Sequence, residues 1–463
     1  MKWPMILIAG LAFLSIEQSF ARVIAKGDCS DLLGDSTTVE IEGRTFRIPN
    51  HRQVKLVRPS EKKLQAISQL ASQLPQHLGK ISVNDLAKAM EDSNLVFNSD
   101  DVNFVRIAAR EQFPSLHLST SHFFSEVPGI LPAVFLESEP TPIRPLAMPS
   151  ESVGFLKDDS QLTRQYGGNK PRKLEFLLGD AIAEGASHII TTGGLGSNHT
   201  VATAALGKAL GLKVIVVLSP QFETEELRKN ILATQALGAE IVYVKDRAKA
   251  VEKLTTTLLA SGQHPYVVPG GGKSALGEIG WVNAAFELKN EIDAGIVPEP
   301  KEIWIPSGTG GSASGLVLGL RLAHIHSRLI VVDVSGGQTR REIANTANAT
   351  LSLLKRHMYI DPGIDVSESD FDLIEDVGQG FGIPTESAQV AAFLNANPGF
   401  KSEDVFMNKT IGVLLKTDLS RFTAASPLLY WSTFNGQELP KGNFNSLPKE
   451  VRDVLQNGRR TDG

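Results

Sequence analysis

"YGGNKPRKLEFLLGDAIAEGASHIITTGGLGSNHT", Tyr166 to Thr200, holds a lysine, a helix, a strand and a second helix joined by two glycine turns. A glycine pair and an asparagine precede Lys170, and a helical run follows. A β-branched strand then ends at Thr192, and Gly193-Gly194 turn the chain into a second helix opened by Ser197-Asn198-His199. Ser197 or Asn198 can cap that helix, and its unpaired first N–H groups form an anion site. Outward from this unit the alternation continues. Strands are predicted at His188–Thr192, Lys213–Leu218, Glu240–Val244, Tyr266–Pro269, Glu302–Pro306 and Leu329–Val334, with helical patterns between them. Short β-branched strands alternating with helices predict an α/β fold with mostly parallel sheets covered on both faces. Ligands in such sheets bind beyond the carboxyl ends of the strands.

A second glycine loop lies at one of those ends. "WIPSGTGGSASGLVLGL" places Gly308, Gly310, Gly311 and Gly315 around Thr309 and Ser312, between a strand and a helix. Converging amides and hydroxyls suit a phosphate. The spacing is neither a nucleotide P-loop nor G-x-G-x-x-G. A plain close-packed turn is the alternative reading of both loops. Together the chain offers a phosphate cradle, a small-anion cradle and a lysine beside a glycine pair. A lysine amine forms a Schiff base with an aldehyde cofactor. Pyridoxal phosphate carries both aldehyde and phosphate, and an amino-acid substrate would bring a carboxylate to the second cradle.

The bulk numbers set the frame. The chain has 463 residues, 42% of them hydrophobic and 21% charged, with a net charge of −5. That length suits two domains and an appendage, and no basic stretch calls for nucleic acid. The single cysteine, Cys29, forms no internal disulfide and lies outside every motif. No metal site is expected. "MKWPMILIAGLAFLSIEQSFAR" has a lysine, an apolar run from Met5 to Ile16 and small residues at Ser19 and Ala21, the layout of a secretory signal peptide cleaved after Ala21. The run is shorter than the roughly 20 residues that span a bilayer. A periplasmic or secreted location follows, with no membrane attachment after cleavage. Val39 to Ile48 reads as a hairpin around Glu42-Gly43, and helical runs follow from Ser60, after Ser82 and over about Asp100–Gln112.

The quoted motifs resemble those of the aminocyclopropane-carboxylate deaminase and D-cysteine desulfhydrase family of pyridoxal-phosphate enzymes, of the tryptophan-synthase-β-like fold. "PTPIRPL", "PGGGKSALGEIGWVNAAFEL", "SGTGGSASG" and "GFGIPTES" add to the match, which covers roughly residues 113–435. The resemblance leaves outside it a signal peptide at 1–21 and a mainly helical extension at 23–112, both read from the residues themselves. A large domain at 113–172 and 284–435, a small one at 173–283 and a tail at 436–463 complete the chain. It implies pyridoxal phosphate bound on Lys170, the residue after Gly-Gly-Asn, with Lys173 an ordinary structural or surface charge. Ser197, counted with Lys170 as catalytic, would face the substrate. Asn198 would meet the cofactor's ring hydroxyl, and the Ser197–His199 amides would hold the substrate carboxylate. Gly308, Thr309, Gly310, Gly311 and Ser312 would hold the phosphate, Phe406 would stack on the ring, and Phe381 would lie against the substrate.

Departures from the family pattern bear on the reaction. Phe381 and Phe406 stand where active-site tyrosines are usual, which keeps stacking and removes a hydroxyl. Met407 takes the place of the glutamate that faces the pyridine nitrogen in the cyclopropane deaminases and of a smaller hydroxyl residue in the desulfhydrases. Thr417, in "LLKTDLS", is matched to the desulfhydrase threonine and counted with the cofactor-binding residues. The expectation is a lyase acting on a small amino acid, D-cysteine first, and working as a homodimer. A cofactor- or partner-binding protein with little catalysis and a cyclopropane deaminase are the alternatives.

Overall fold

The structure, a computed structural model, describes residues 36–41, 44–49, 133–134, 140–358, 363–380, 383 and 387–457. It divides into two units, 1–117 and 118–463. In the first, β1 (Ser36–Ile41) and β2 (Arg44–Pro49) pair antiparallel with Ile41 opposite Arg44. This is the hairpin expected around Glu42-Gly43. The signal peptide, the three helical runs of the front segment and Phe381 lie outside the described residues.

The second unit begins its sheet structure with β3 (Ile143–Leu146) and β4 (Gly154–Asp158), paired antiparallel. Then α1 (Lys170–Ala183), β5 (His188–Gly194), α2 (Asn198–Ala209), β6 (Lys213–Ser219), α3 (Glu225–Ala236), β7 (Glu240–Tyr243), α4 (Arg247–Ala260) and β8 (Pro265–Val268) build a parallel four-stranded sheet in the order β7-β6-β5-β8. The chain returns through α5 (Ile279–Asp293), β9 (Glu302–Ser307), α6 (Gly311–Leu322), β10 (Arg328–Asp333), α7 (Arg340–Met358), β11 (Phe371–Glu375), α8 (Ala388–Ala396), α9 (Met407–Leu414) and β12 (Leu428–Ser432). These complete a six-stranded sheet in the order β11-β10-β9-β12-β4-β3, parallel except for β3. The proline-rich entry "PTPIRPL" thus ends in an edge strand, where the missing Pro145 N–H costs no ladder bond in the sheet interior.

All six strands read from the sequence are present, and β3, β4, β11 and β12 add to them. Strand β12, "LLYWS", is buried at every position. The last helix, α10 (Lys449–Asn457), lies in the stretch expected to be a tail. It packs Val451 and Leu455 into the apolar cluster around the four-stranded sheet. Among the described residues no helix is long and apolar enough to cross a membrane.

A buried ionic cluster joins the first turn of α1 to the large sheet. Lys157 on β4 is fully buried, and its Nζ lies 2.6 Å from both Glu291 Oε1 and the Thr141 carbonyl oxygen. Two residues beyond Lys170, Arg172 donates from Nε to Asp159 at 2.7 Å and from Nη1 to Glu287 at 2.9 Å. Trp431 Nε1 of β12 donates to the same Asp159 carboxylate at 3.1 Å. Buried charges persist only when paired and hydrogen-bonded, and here the partners come from the segment after β4, from α5 and from β12. Burial works against the Glu287 charge, but Arg172 and Lys157 overcome it and hold its carboxyl below the ordinary range. The backbone that carries Lys170 is therefore anchored from three sides.

Candidate active site

The carboxyl ends of both parallel sheets open onto one cavity of about 480 Å³. That lies within the roughly 300–1,000 Å³ typical of small-molecule sites. Thr192 to Gly194 of β5, Gly270-Gly271 beyond β8, Pro306 to Ser312 around β9, and Thr433-Phe434 beyond β12 all line it.

Lys170 enters the cavity from the first residue of α1, behind a loop pressed onto β12. Gly168 holds φ at +75°, and a Cβ there would overlap the Thr433 carbonyl. The Asn169 N–H donates to that same carbonyl at 3.2 Å. Only glycine allows both the conformation and the approach. Lys170 is half-buried. Desolvation first, and the Lys173 charge second, lower its amine to about 7, with Glu278 opposing them. An amine so placed is substantially neutral, hence nucleophilic, at physiological pH.

Lys173 is not a surface charge. It is 1% exposed, and its Nζ lies 3.4 Å from Oε1 of Glu278, which is fully buried. Three residues apart on one helix, the two lysines point to different tasks. Burial raises the Glu278 carboxyl, and Lys173 and Lys170 oppose that rise. A Cβ on Gly311 would overlap both the Lys173 ammonium and the Glu278 carboxylate. The ion pair therefore lies directly behind the glycine loop.

That loop has the geometry of an anion cradle. Gly310 stands at the N-terminal boundary of α6 with φ +81° and no side-chain cap, so the first amides of α6 keep no intrahelical partner. Ser312 Oγ accepts a hydrogen bond from Asn169 Nδ2 at 3.1 Å, which leaves its own proton to donate. Below the loop, Ser307 Oγ donates to Gln338 at 2.7 Å, and Asp333 accepts from the Ser335–Gln338 backbone N–H groups.

A second helix N-terminus faces the same cavity. Ser197 occupies the N-cap position of α2, but neither it nor Asn198 caps the helix as expected. Ser197 makes no side-chain cap bond, and the Asn198 Oδ1 accepts from Asn230 Nδ2 at 2.7 Å. The first α2 amides are thus left for an outside anion. The His199 side chain turns inward, where its Nε2 lies 2.9 Å from Thr191 Oγ1. Thr191 gives its proton to the Val268 carbonyl, so the imidazole donates. Burial, reinforced by Lys170 and Lys173, holds His199 well below its ordinary range and keeps it neutral. Its backbone N–H, not its ring, is the group available to a substrate.

Phe406 lines the cavity beside Gly308. Thr417 does not: its hydroxyl donates to the Leu414 carbonyl at 2.8 Å, beyond the end of α9 and away from the cavity lining. Thr433, at the carboxyl end of β12, does line the cavity. Its N–H and hydroxyl approach Met407 Sδ at 3.5 and 3.7 Å, and Met407 itself is fully buried. The apolar run "LLYWS" followed by threonine carried that signal, since strand ends are where such sheets bind ligands. Glu403 was also missed. Its carboxylate lines the cavity and accepts from the Val405, Phe406 and Met407 N–H groups at 2.7, 2.9 and 2.9 Å, which sets the Phe406 backbone. Among the described residues no group of His, Cys, Asp or Glu side chains is placed to hold a metal.

Pyridoxal phosphate fits these residues. A reactive amine stands between two uncapped helix N-termini, one lined with hydroxyls beside an aromatic ring.

Comparison with known proteins agrees. A family model described as pyridoxal-phosphate dependent enzyme matches residues 134–396. Two D-cysteine desulfhydrases, from Klebsiella pneumoniae strain 342 and from K. pneumoniae subsp. pneumoniae, are each 30% identical over 318 residues, covering 65% of this chain and 93% of theirs. A solved structure of an ACC deaminase homologue is 27% identical with a TM-score of 0.59, covering 74% of this chain and 100% of its own.

Proposed function

The chain belongs to the pyridoxal-phosphate dependent enzymes, and from that premise we propose that it is a lyase converting D-cysteine and water to pyruvate, ammonia and hydrogen sulfide. The observation that carries this reading is the Lys170 amine, lowered to about 7, standing between the two uncapped helix N-termini. When bound, the cofactor supplies an aldehyde that accepts the amino group and a conjugated ring that spreads negative charge.

The protein's part is placement and proton traffic. Lys170 would hold the cofactor and, once released, act as base beside the substrate Cα. The α6 amides with Thr309 and Ser312 would hold the phosphate, and the α2 amides would hold the substrate carboxylate, with the free Ser197 hydroxyl facing it. Phe406 would stack on the ring. Thr433 would take the cofactor-binding role first given to Thr417, and would lie toward the ring nitrogen.

Met407 cannot keep a proton on that nitrogen, and Phe406 has no hydroxyl to give. Ring-opening deamination depends on such donors, whereas loss of a good Cβ leaving group demands less of the ring. The 30% identical desulfhydrases support the same choice.

Purified holoprotein supplied with D-cysteine, β-chloro-D-alanine and aminocyclopropane carboxylate, and assayed for keto acid and ammonia, tests it. The first two should turn over and the third should not. Faster cyclopropane turnover would overturn the reading, and activity on none would favour a binding role.

Export is part of the proposal, resting on the Met1–Ala21 leader. Native protein should begin at Arg22, and a chain still beginning at Met1 would count against it. A homodimer is proposed by family likeness, and monomeric sedimentation of the holoprotein would refute it.

A further inference from the structure

We infer that Asn230, on α3, is a positioning residue that determines which end of the Asn198 amide meets the cofactor. Asn230 is 1% exposed, and its Nδ2 donates twice, to the Gly196 carbonyl at 3.0 Å and to Asn198 Oδ1 at 2.7 Å. The orientation follows from chemistry. A peptide carbonyl only accepts, so the Asn230 atom facing Gly196 must be the nitrogen. That nitrogen's second hydrogen then points at Asn198, so the Asn198 atom it meets must be the oxygen. Asn198 Nδ2 is consequently the end left for the cavity, and Asn198 acts toward the cofactor as a donor.

The Gly196 peptide that starts this chain of orientation is itself held, because its N–H donates to Gln221 Oε1 at 3.1 Å. Among the described residues, Asn230 Oδ1 is buried without a partner. An unsatisfied buried acceptor is costly, so the residue's two donated bonds are what it contributes here. A donor at Asn198 suits an ionised ring oxygen; an acceptor there would repel one.

The inference rests on the pyridoxal-phosphate reading of the cavity, and the test separates the two. Apoprotein is titrated with pyridoxal phosphate, and the dissociation constant and the pH dependence of the visible absorbance band are recorded. The proteins compared are wild type, Asn230→Asp, Asn198→Ala and the double variant. Wild type that takes up no cofactor would refute the cofactor reading itself.

Asn230→Asp presents only acceptors, so it should turn Asn198 over or push it away. Binding should weaken by about tenfold or more, and the pH at which the band changes should move. In the Asn198→Ala background the same substitution should add less than about twofold. Asn230→Ala, which removes the donors without adding charge, should give a smaller loss that also vanishes in that background. It stands in if the aspartate variant does not fold. Equal losses with and without the Asn198 side chain, or unchanged affinity and band, would overturn the inference.

Discussion

Replacing Lys173 with methionine removes the ammonium 3.4 Å from Glu278, together with its hydrogen bond to the Gly271 carbonyl. Both side chains are buried, at 1% and 0% exposure, so water cannot replace the lost partner. Glu278 Oε2 already has no hydrogen bond among the described residues. Breaking a buried pair by removing one member typically costs about 3–5 kcal/mol, because the other charge is left uncompensated.

The pH dependence carries the diagnosis. Burial already raises the Glu278 carboxyl, and without Lys173 it rises further above the unfolded value of about 4.3. A carboxyl raised on folding is tolerated below its unfolded pKa, and stability is lost as pH climbs through the folded pKa. The Lys173→Met deficit should therefore be larger at pH 8 than at pH 5. Adding Glu278→Gln should recover most of it at pH 8. Urea denaturation of the apoprotein at the two pH values measures this. A deficit below about 1 kcal/mol, equal deficits at both pH values, or no recovery in the double variant would refute the reasoning.

Other outcomes follow from the same geometry. Because the Lys170 amine is lowered to about 7, capture of pyridoxal phosphate by apoprotein should speed up with pH through about 7 and level off above it. An ordinary lysine would keep climbing toward about 10.4, and stopped-flow absorbance distinguishes the two. In Lys173→Met the same curve should move to higher pH, since the neighbouring positive charge that lowers Lys170 is gone. Thr433→Val should shift the bound cofactor's absorbance and weaken its affinity. Thr417→Val, whose hydroxyl only closes a turn on Leu414, should leave both unchanged; the reverse pattern would restore the first assignment.

The parts of the fold that the sequence disclosed are those with local signals. Six β-branched strands between helical periods, and two glycine loops at strand ends, need no knowledge of distant partners. What escaped depended on such partners. Strand β4 reads "GFLKD", and Lys157 and Asp158 look like surface residues until Glu291 meets the lysine from 134 positions away. Lys173 reads only as a structural or surface charge for the same reason, its partner lying 105 positions further on. The short motif "KTDL" points to Thr417, because Thr433 becomes legible only with its strand. In the structure the strand "LLYWS" delivers Thr433 to the cavity, while Thr417 follows a helix. The role of Asn230 was invisible because it lies in hydrogen bonds between two helices, not in any motif.

The central claim is that Lys170, and not its buried neighbour Lys173, is the residue that holds the cofactor. Borohydride reduction of the holoprotein followed by peptide mass spectrometry tests it directly. The reduced pyridoxyl phosphate adduct should lie on Lys170 alone, with Lys173 unmodified. An adduct on Lys173, or none on Lys170 in protein that has bound the cofactor, would contradict it.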